Sequence, residues 1–193
     1  MPGEAPVPFF TLPNLLSLAR LPLGGLFWVA LGPTPTSASA AAALAVLAAA
    51  AVTDMFDGML ARRSGTDLAG VGSWLDPICD KLFVGTVLAA LHIERGVPLP
   101  LLALVVAREL LQLPMSLVYR VIPTLRRWLQ YDFRASWLGK AATISQFLTI
   151  VVLILGGPAR PFVVLSFVLG IAALLDYVRR AVAIGRAHNA AAR

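Results

Sequence analysis

Six stretches of this chain are apolar over nearly the length that a membrane demands, and that constrains the fold more than any other feature. A bilayer core about 30 Å thick is crossed by roughly 20 helical residues rising about 1.5 Å each. The stretches are residues 13–31, 37–60, 74–91, 98–119, 136–155 and 161–184. With 59% hydrophobic and only 13% charged residues, too little polar sequence remains to coat a water-soluble core. The expected fold is an all-α integral membrane protein of six transmembrane helices. Gly/Pro-rich turns at 32–37 and 156–161 and the polar turn HIERGVP at 92–98 separate the spans. No linker is long enough to hold a second domain. The expectation is one membrane domain over residues 1–193 with a short interfacial segment at 1–12, where Phe9 and Phe10 suit the headgroup layer.

The basic residues set the orientation. With six spans and the N-terminus inside, the cytoplasmic segments hold Arg62, Arg63, Arg120, Arg126, Arg127, Arg134, Lys140, Arg179, Arg180, Arg186 and Arg193, whereas the outer turns hold only Arg95 and Arg160. Both termini are therefore expected on the cytoplasmic side of the inner membrane. The same basic face attracts anionic headgroups, which accounts for much of the +6 net charge without a nucleic-acid partner. The N-terminus lacks the basic region and small-residue cleavage site of a secretory signal, so the first span is expected to be retained. The single Cys79 excludes an intrachain disulfide.

Against this background the acids are unevenly spread. Five aspartates fall between Thr53 and Lys81. Asp54 and Asp57 come at the end of the second span, and Asp76 and Asp80 at the start of the third. Partners at i,i+3 and i,i+4 share a helix face, so four carboxylates can converge at one depth across two antiparallel helices. Unpaired, they repel one another and lose hydration, and Lys81 and Arg62 are too few to neutralise them. A divalent cation, or two about 4 Å apart, is the better solution. Oxygen-only ligation points to magnesium or manganese, and the two histidines, His92 and His188, are remote. Gly58 and Gly72 leave room beside such ions for a nucleotide or phosphate to approach the backbone, although small residues also serve helix packing. Arg62, one turn past Gly58, suits a phosphate clamp. A divalent-cation transporter could use intramembrane carboxylates too, but it would want them near the midplane, and these lie toward one face.

The pattern Asp54-x-x-Asp57-Gly58-x-x-Ala61-Arg62, followed after nine residues by Gly72-x-x-x-Asp76-x-x-x-Asp80, resembles the signature of the CDP-alcohol phosphotransferases. The resemblance covers the whole chain, since that family is built on six transmembrane helices with the motif across the second and third. It implies a metal-dependent reaction at the cytoplasmic membrane surface, in which an acceptor hydroxyl attacks a CDP-linked donor and CMP departs. By the same resemblance Asp54, Asp57, Asp76 and Asp80 would ligate two Mg2+ or Mn2+ ions, and Asp80 would also take the acceptor's proton. Asp57, Gly58, Ala61, Arg62 and Gly72 would line the cytidine diphosphate site.

Finer features resemble the phosphatidylglycerophosphate synthases within that superfamily. Pro13-Asn14-x-Leu16-Ser17-x-x-Arg20 is similar to their P-N-x-L-T-x-x-R opening. Leu75-Asp76-Pro77-x-x-Asp80-Lys81, Ala107-Arg108-Glu109 and Trp137-x-Gly139-Lys140-x-x-Thr143-x-x-Gln146 match further segments. The implied substrates are CDP-diacylglycerol and sn-glycerol 3-phosphate, with a cardiolipin synthase using phosphatidylglycerol as the alternative. One position departs from the family: Ala142 stands where the G-K-x-K-T form has its second lysine, which removes a cation from an acceptor phosphate site. Arg108 and Lys140 are then the candidate acceptor ligands, and a lysine restored at Ala142 is expected to leave activity intact or improve it. Arg108 beside Glu109 inside a span calls for a polar network, while Asp176 is expected to pair with Arg179 or Arg180 at helical spacing. Gly85-x-x-x-Ala89 offers a small-residue contact of the kind that pairs membrane helices, so a homodimer is a further expectation.

Overall fold

The computed structural model describes residues 12–64, 72–112, 114 and 136–191. They form helices α1 (Leu12–Leu31), α2 (Ser37–Ser64), α3 (Gly72–Arg95), α4 (Leu99–Val105), α5 (Trp137–Ile154) and α6 (Ala159–Ala191), with residues 107–112 also helical. No strand occurs among the described residues. Among the described residues four segments are long and apolar enough to cross a membrane: Asn14–Leu31, Ser37–Phe56, Trp137–Ile154 and Ala159–Ile184.

The other two expected spans are not among these four. Helix α3 is 24 residues long, but Asp76, Asp80 and Lys81 near its start and Glu94 and Arg95 at its end confine the uncharged stretch to residues 82–93, about 18 Å of helix. The stretch expected at 98–119 is described only in part. It bends at Val106, whose φ of −103° and ψ of 16° leave the helical region. The bonds from Val106 N–H to Leu102 O at 3.2 Å and from Leu110 N–H to Val106 O at 3.0 Å flank this break in the helix. The interfacial segment with Phe9 and Phe10 and the loop carrying Arg126 to Arg134 lie outside the described residues.

The chain divides into two compact units, Met1–Gly96 and Val97–Arg193. In the first, α1 packs on both α2 and α3. Ala43, Leu47 and Ala50 form the buried stripe of α2 at i, i+4, i+7, and Val87, Ala90 and Leu91 do the same for α3. Gly24 lets α1 approach closely, since a Cβ there would stand 3.4 Å from the Thr86 side chain. The helix ends are closed by local chemistry. Thr36 and Ser39 exchange side-chain and backbone bonds of 3.0 and 3.1 Å, a reciprocal cap for α2. Gly32 and Gly96 take positive φ, +54° and +65°, where α1 and α3 stop. Across these ends Trp28 Nε1 donates to Glu94 at 2.7 Å. Arg95 donates to Leu31 O at 2.8 Å and to Ser39 Oγ at 3.0 Å, placing a cation on the carbonyl end of α1.

In the second unit α6 packs on α5 and on α4. Ser136 caps α5 by accepting from Gly139 N–H at 2.9 Å. Gly139, Ala142, Ser145 and Thr149 form the buried stripe that follows. Thr149 Oγ1 lies 2.7 Å from Ser145 O and 3.0 Å from Phe162 O, tying α5 to the start of α6. At the other end of α5 the Tyr177 hydroxyl sits 2.5 Å from where a Cβ on Gly139 would stand, so only glycine fits there without displacement. Arg180 pairs with Asp176 at 3.0 Å, i,i+4 along α6, the structural role expected of that aspartate.

Candidate active site

Helix α2 runs 28 residues, about 42 Å, and its apolar window ends at Phe56. The acidic motif therefore begins where apolar sequence gives out. Asp54 lies within the last three residues of that window, and Asp57, Gly58, Ala61 and Arg62 follow on the same helix. Gly72 opens α3, and Asp76 and Asp80 occupy its first three turns. The backbone thus carries the two halves of the motif at the end of α2 and the start of α3, both in the first unit. The side chains of Asp57, Gly58, Ala61, Arg62, Gly72 and Asp76 lie outside the described residues.

Two motif carboxylates are described. Asp80 is exposed. Asp54 has a side chain 62% exposed, and its Oδ1 accepts from Arg20 Nη2 at 2.6 Å. Arg20 itself, on α1, is only 1% exposed. One Asp54 oxygen is held by this guanidinium while the other belongs to an open carboxylate. Such oxygen donors suit a hard cation such as Mg2+ or Mn2+. Among the described residues no group of three His, Cys, Asp or Glu side chains could hold a metal ion; Asp57 and Asp76 lie outside that set.

Pairing between Arg20 and Asp54, 34 residues apart, is a contact that sequence reading does not foresee. A signal exists: Arg20 is the one charged residue in the first apolar stretch, and charge inside a span points to a partner and a site. The partner's identity, however, depends on how α1 and α2 cross.

In the second unit Arg108 and Glu109 build the network expected of them. Arg108 Nε and Nη2 donate to Glu109 Oε1 at 2.9 and 2.6 Å. Its Nη1 donates to Gly139 O at 3.0 Å and its Nη2 to Thr143 Oγ1 at 3.2 Å. Gln146 Nε2 completes the set on Glu109 Oε2 at 3.2 Å. Nearly every guanidinium donor is thereby committed to protein. Lys140, one residue beyond Gly139 on the first turn of α5, is exposed.

Ala142 is 2% exposed and lies about 160° around α5 from Lys140. A lysine introduced there would have to bury its ammonium or displace its neighbours. Burial of this position weighs against a harmless restoration. Gly85 is exposed and has open space where a Cβ would stand.

Comparison with known proteins adds to this geometry. A sequence model of CDP-alcohol phosphatidyltransferases matches residues 10–178. A probable phosphatidylglycerophosphate synthase of Mycobacterium tuberculosis is 35% identical over 181 residues, 88% of this chain and 81% of its own. The CDP-diacylglycerol–glycerol-3-phosphate 3-phosphatidyltransferase of Escherichia coli K12 is 35% identical over 149 residues, 73% of this chain and 75% of its own. Human cardiolipin synthase (CMP-forming) is 31% identical over 124 residues, 63% of this chain and 40% of its own. Nothing in these similarities supports a cation transporter.

Proposed function

Because the chain belongs to the CDP-alcohol phosphatidyltransferase family, we propose that it transfers the phosphatidyl group of CDP-diacylglycerol to sn-glycerol 3-phosphate, yielding phosphatidylglycerophosphate and CMP. The observation that carries this choice of acceptor is the reach of the mycobacterial similarity, which takes in 88% of this chain and 81% of that synthase. We place the reaction at the cytoplasmic face of the inner membrane, with six spans and both termini inside, on the distribution of lysines and arginines.

The acceptor hydroxyl oxygen attacks the phosphatidyl phosphorus, the pyrophosphate P–O bond breaks, and CMP leaves with the bonding pair. Asp80, exposed at the start of α3, accepts the hydroxyl proton as the new P–O bond forms. Asp54, Asp57, Asp76 and Asp80 are the ligands for two Mg2+ or Mn2+ ions, which would offset the charge of the pyrophosphate and of departing CMP. Asp57, Gly58, Ala61, Arg62 and Gly72 line the cytidine diphosphate, with Arg62 as the phosphate fork. Lys140 supplies a point charge for the acceptor phosphate. Arg108, whose donors reach Glu109, Gly139 and Thr143, serves the acceptor by fixing the helical turn on which Lys140 stands. The open face at Gly85 and Ala89 is the contact for a homodimer.

A cardiolipin synthase is the second reading, favoured by one residue: Ala142 in place of the family's lysine leaves one cation fewer for a phosphorylated acceptor. The test is an acceptor screen with purified protein, labelled CDP-diacylglycerol and manganese or magnesium. Phosphatidylglycerophosphate forms with glycerol 3-phosphate, and Lys140→Ala raises the requirement for that acceptor far more than for CDP-diacylglycerol. Consumption of phosphatidylglycerol with glycerol 3-phosphate ignored would establish the second reading, and turnover in excess EDTA would remove the metals.

A further inference from the structure

Arg20 is an expensive residue to place inside an apolar helix, and its surroundings show what it is there for. Its guanidinium is 1% exposed, whereas the side chain of its partner Asp54 is 62% exposed. A pair serving only to neutralise two buried charges would sequester both partners, because the desolvation of each is what the pair offsets. Here the cation is sunk between helices and the carboxylate stays open, with Oδ1 pinned at 2.6 Å. A carboxylate fixed at one oxygen by a rigid planar donor loses rotational freedom about its side-chain torsions while its second oxygen keeps its lone pairs.

We propose that Arg20 is a positioning residue for the cation site, holding Asp54 from beneath so that its remaining oxygen is presented to the metal. This rests on the reading of Asp54 as a metal ligand. Outer partners of ligating carboxylates orient the ligand, and their loss typically weakens metal binding 10- to 100-fold. The sign of the effect is diagnostic. By Coulomb's law alone, taking a positive charge away from beside a divalent cation tightens binding. Weaker binding after removal of Arg20 therefore reports lost orientation.

The experiment measures Mn2+ binding to the full chain in lipid nanodiscs, following the signal of free Mn2+ by electron paramagnetic resonance. Wild type is compared with Arg20→Met, Arg20→Lys, Asp54→Ala and the double variant Arg20→Met/Asp54→Ala, each checked by thermal unfolding. Arg20→Met should weaken binding by roughly 10-fold or more. Arg20→Lys, which keeps a donor but loses the fork, should recover part of it, and Arg20→Met should add nothing once Asp54 is alanine. Binding by Arg20→Met that equals or exceeds wild type overturns the proposal, as does an equal loss on the Asp54→Ala background. If Arg20→Met does not fold, Arg20→Lys alone decides, by the same comparison with and without Asp54. A wild-type protein that binds no Mn2+ fails the metal reading first, an outcome distinct from variants that fail to differ from a wild type that binds.

Discussion

Replacing Arg108 by methionine strips Glu109 of its counter-ion while leaving the side-chain volume similar. The pair is 16% and 27% exposed, so it is shielded from water without being wholly dry. Breaking a fully buried pair costs about 3–5 kcal/mol, because one charge is left behind uncompensated. Residual exposure and the surviving bond from Gln146 to Glu109 Oε2 at 3.2 Å lower this to about 2–3 kcal/mol. Gly139 O is not orphaned by the change, since Thr143 Oγ1 still lies 3.1 Å from it. Replacing both members, Arg108→Met with Glu109→Met, removes the stranded charge and should recover most of the loss, to within about 1 kcal/mol of wild type. Reversible unfolding in mixed micelles with increasing SDS gives the four free energies of the cycle. A single Arg108→Met variant within about 0.5 kcal/mol of wild type, or a double variant no better than the sum of the singles, would refute the view that this arginine ties the helix carrying Lys140 in place.

The other predictions address chemistry and packing. Asp80→Asn should keep CDP binding, measured by equilibrium titration, and lose CMP release; near-normal release would mean that another group takes the proton. Gly139→Ala drives a methyl to 2.5 Å from the Tyr177 hydroxyl and should destabilise by about 1–3 kcal/mol as overpacking, with Tyr177→Phe recovering much of the loss in the same unfolding assay. Ala142→Lys should lower the melting temperature and bring no gain in turnover, since the site is buried; an unshifted melting curve would show that the ammonium escapes along the helix.

Four of the membrane helices are legible in the sequence because their apolar runs are long and end at Gly/Pro turns. Gly32 and Gly156 stop α1 and α5 with positive φ, as the punctuation suggests. The third span is less plain because a helix's length and its apolar length differ: α3 is continuous for 24 residues, yet charges occupy both ends. The break at Val106 has no proline or glycine to announce it, only the β-branched pair Val105-Val106. The aspartate motif is legible because spacing within one helix determines which residues share a face. Arg20 and Ala142 are not, for a common reason: one depends on a partner 34 residues away and the other on the burial of a helix face, both of which emerge only when helices pack. Arg108 lies between these cases. Its need for Glu109 follows from charge inside a span, but its bonds to Gly139 and Thr143 require α5 to be in place.

The same ion pair carries a consequence for how the chain enters a membrane. Arg20 leaves the ribosome 34 residues ahead of Asp54, a wait of about 2–7 s at ordinary rates of synthesis. During that interval α1 holds Arg20 without the Asp54 carboxylate; a charge costs about 2.5–3.5 kcal/mol at the centre of an inserting helix and less toward the face where this motif lies. Its long side chain must meanwhile reach for the headgroups. The first helix is therefore expected to settle at its final depth once α2 delivers the carboxylate, which favours insertion of the two segments as a hairpin. Glu94, which binds Trp28 from 66 residues further along, then closes the far end after α3 arrives.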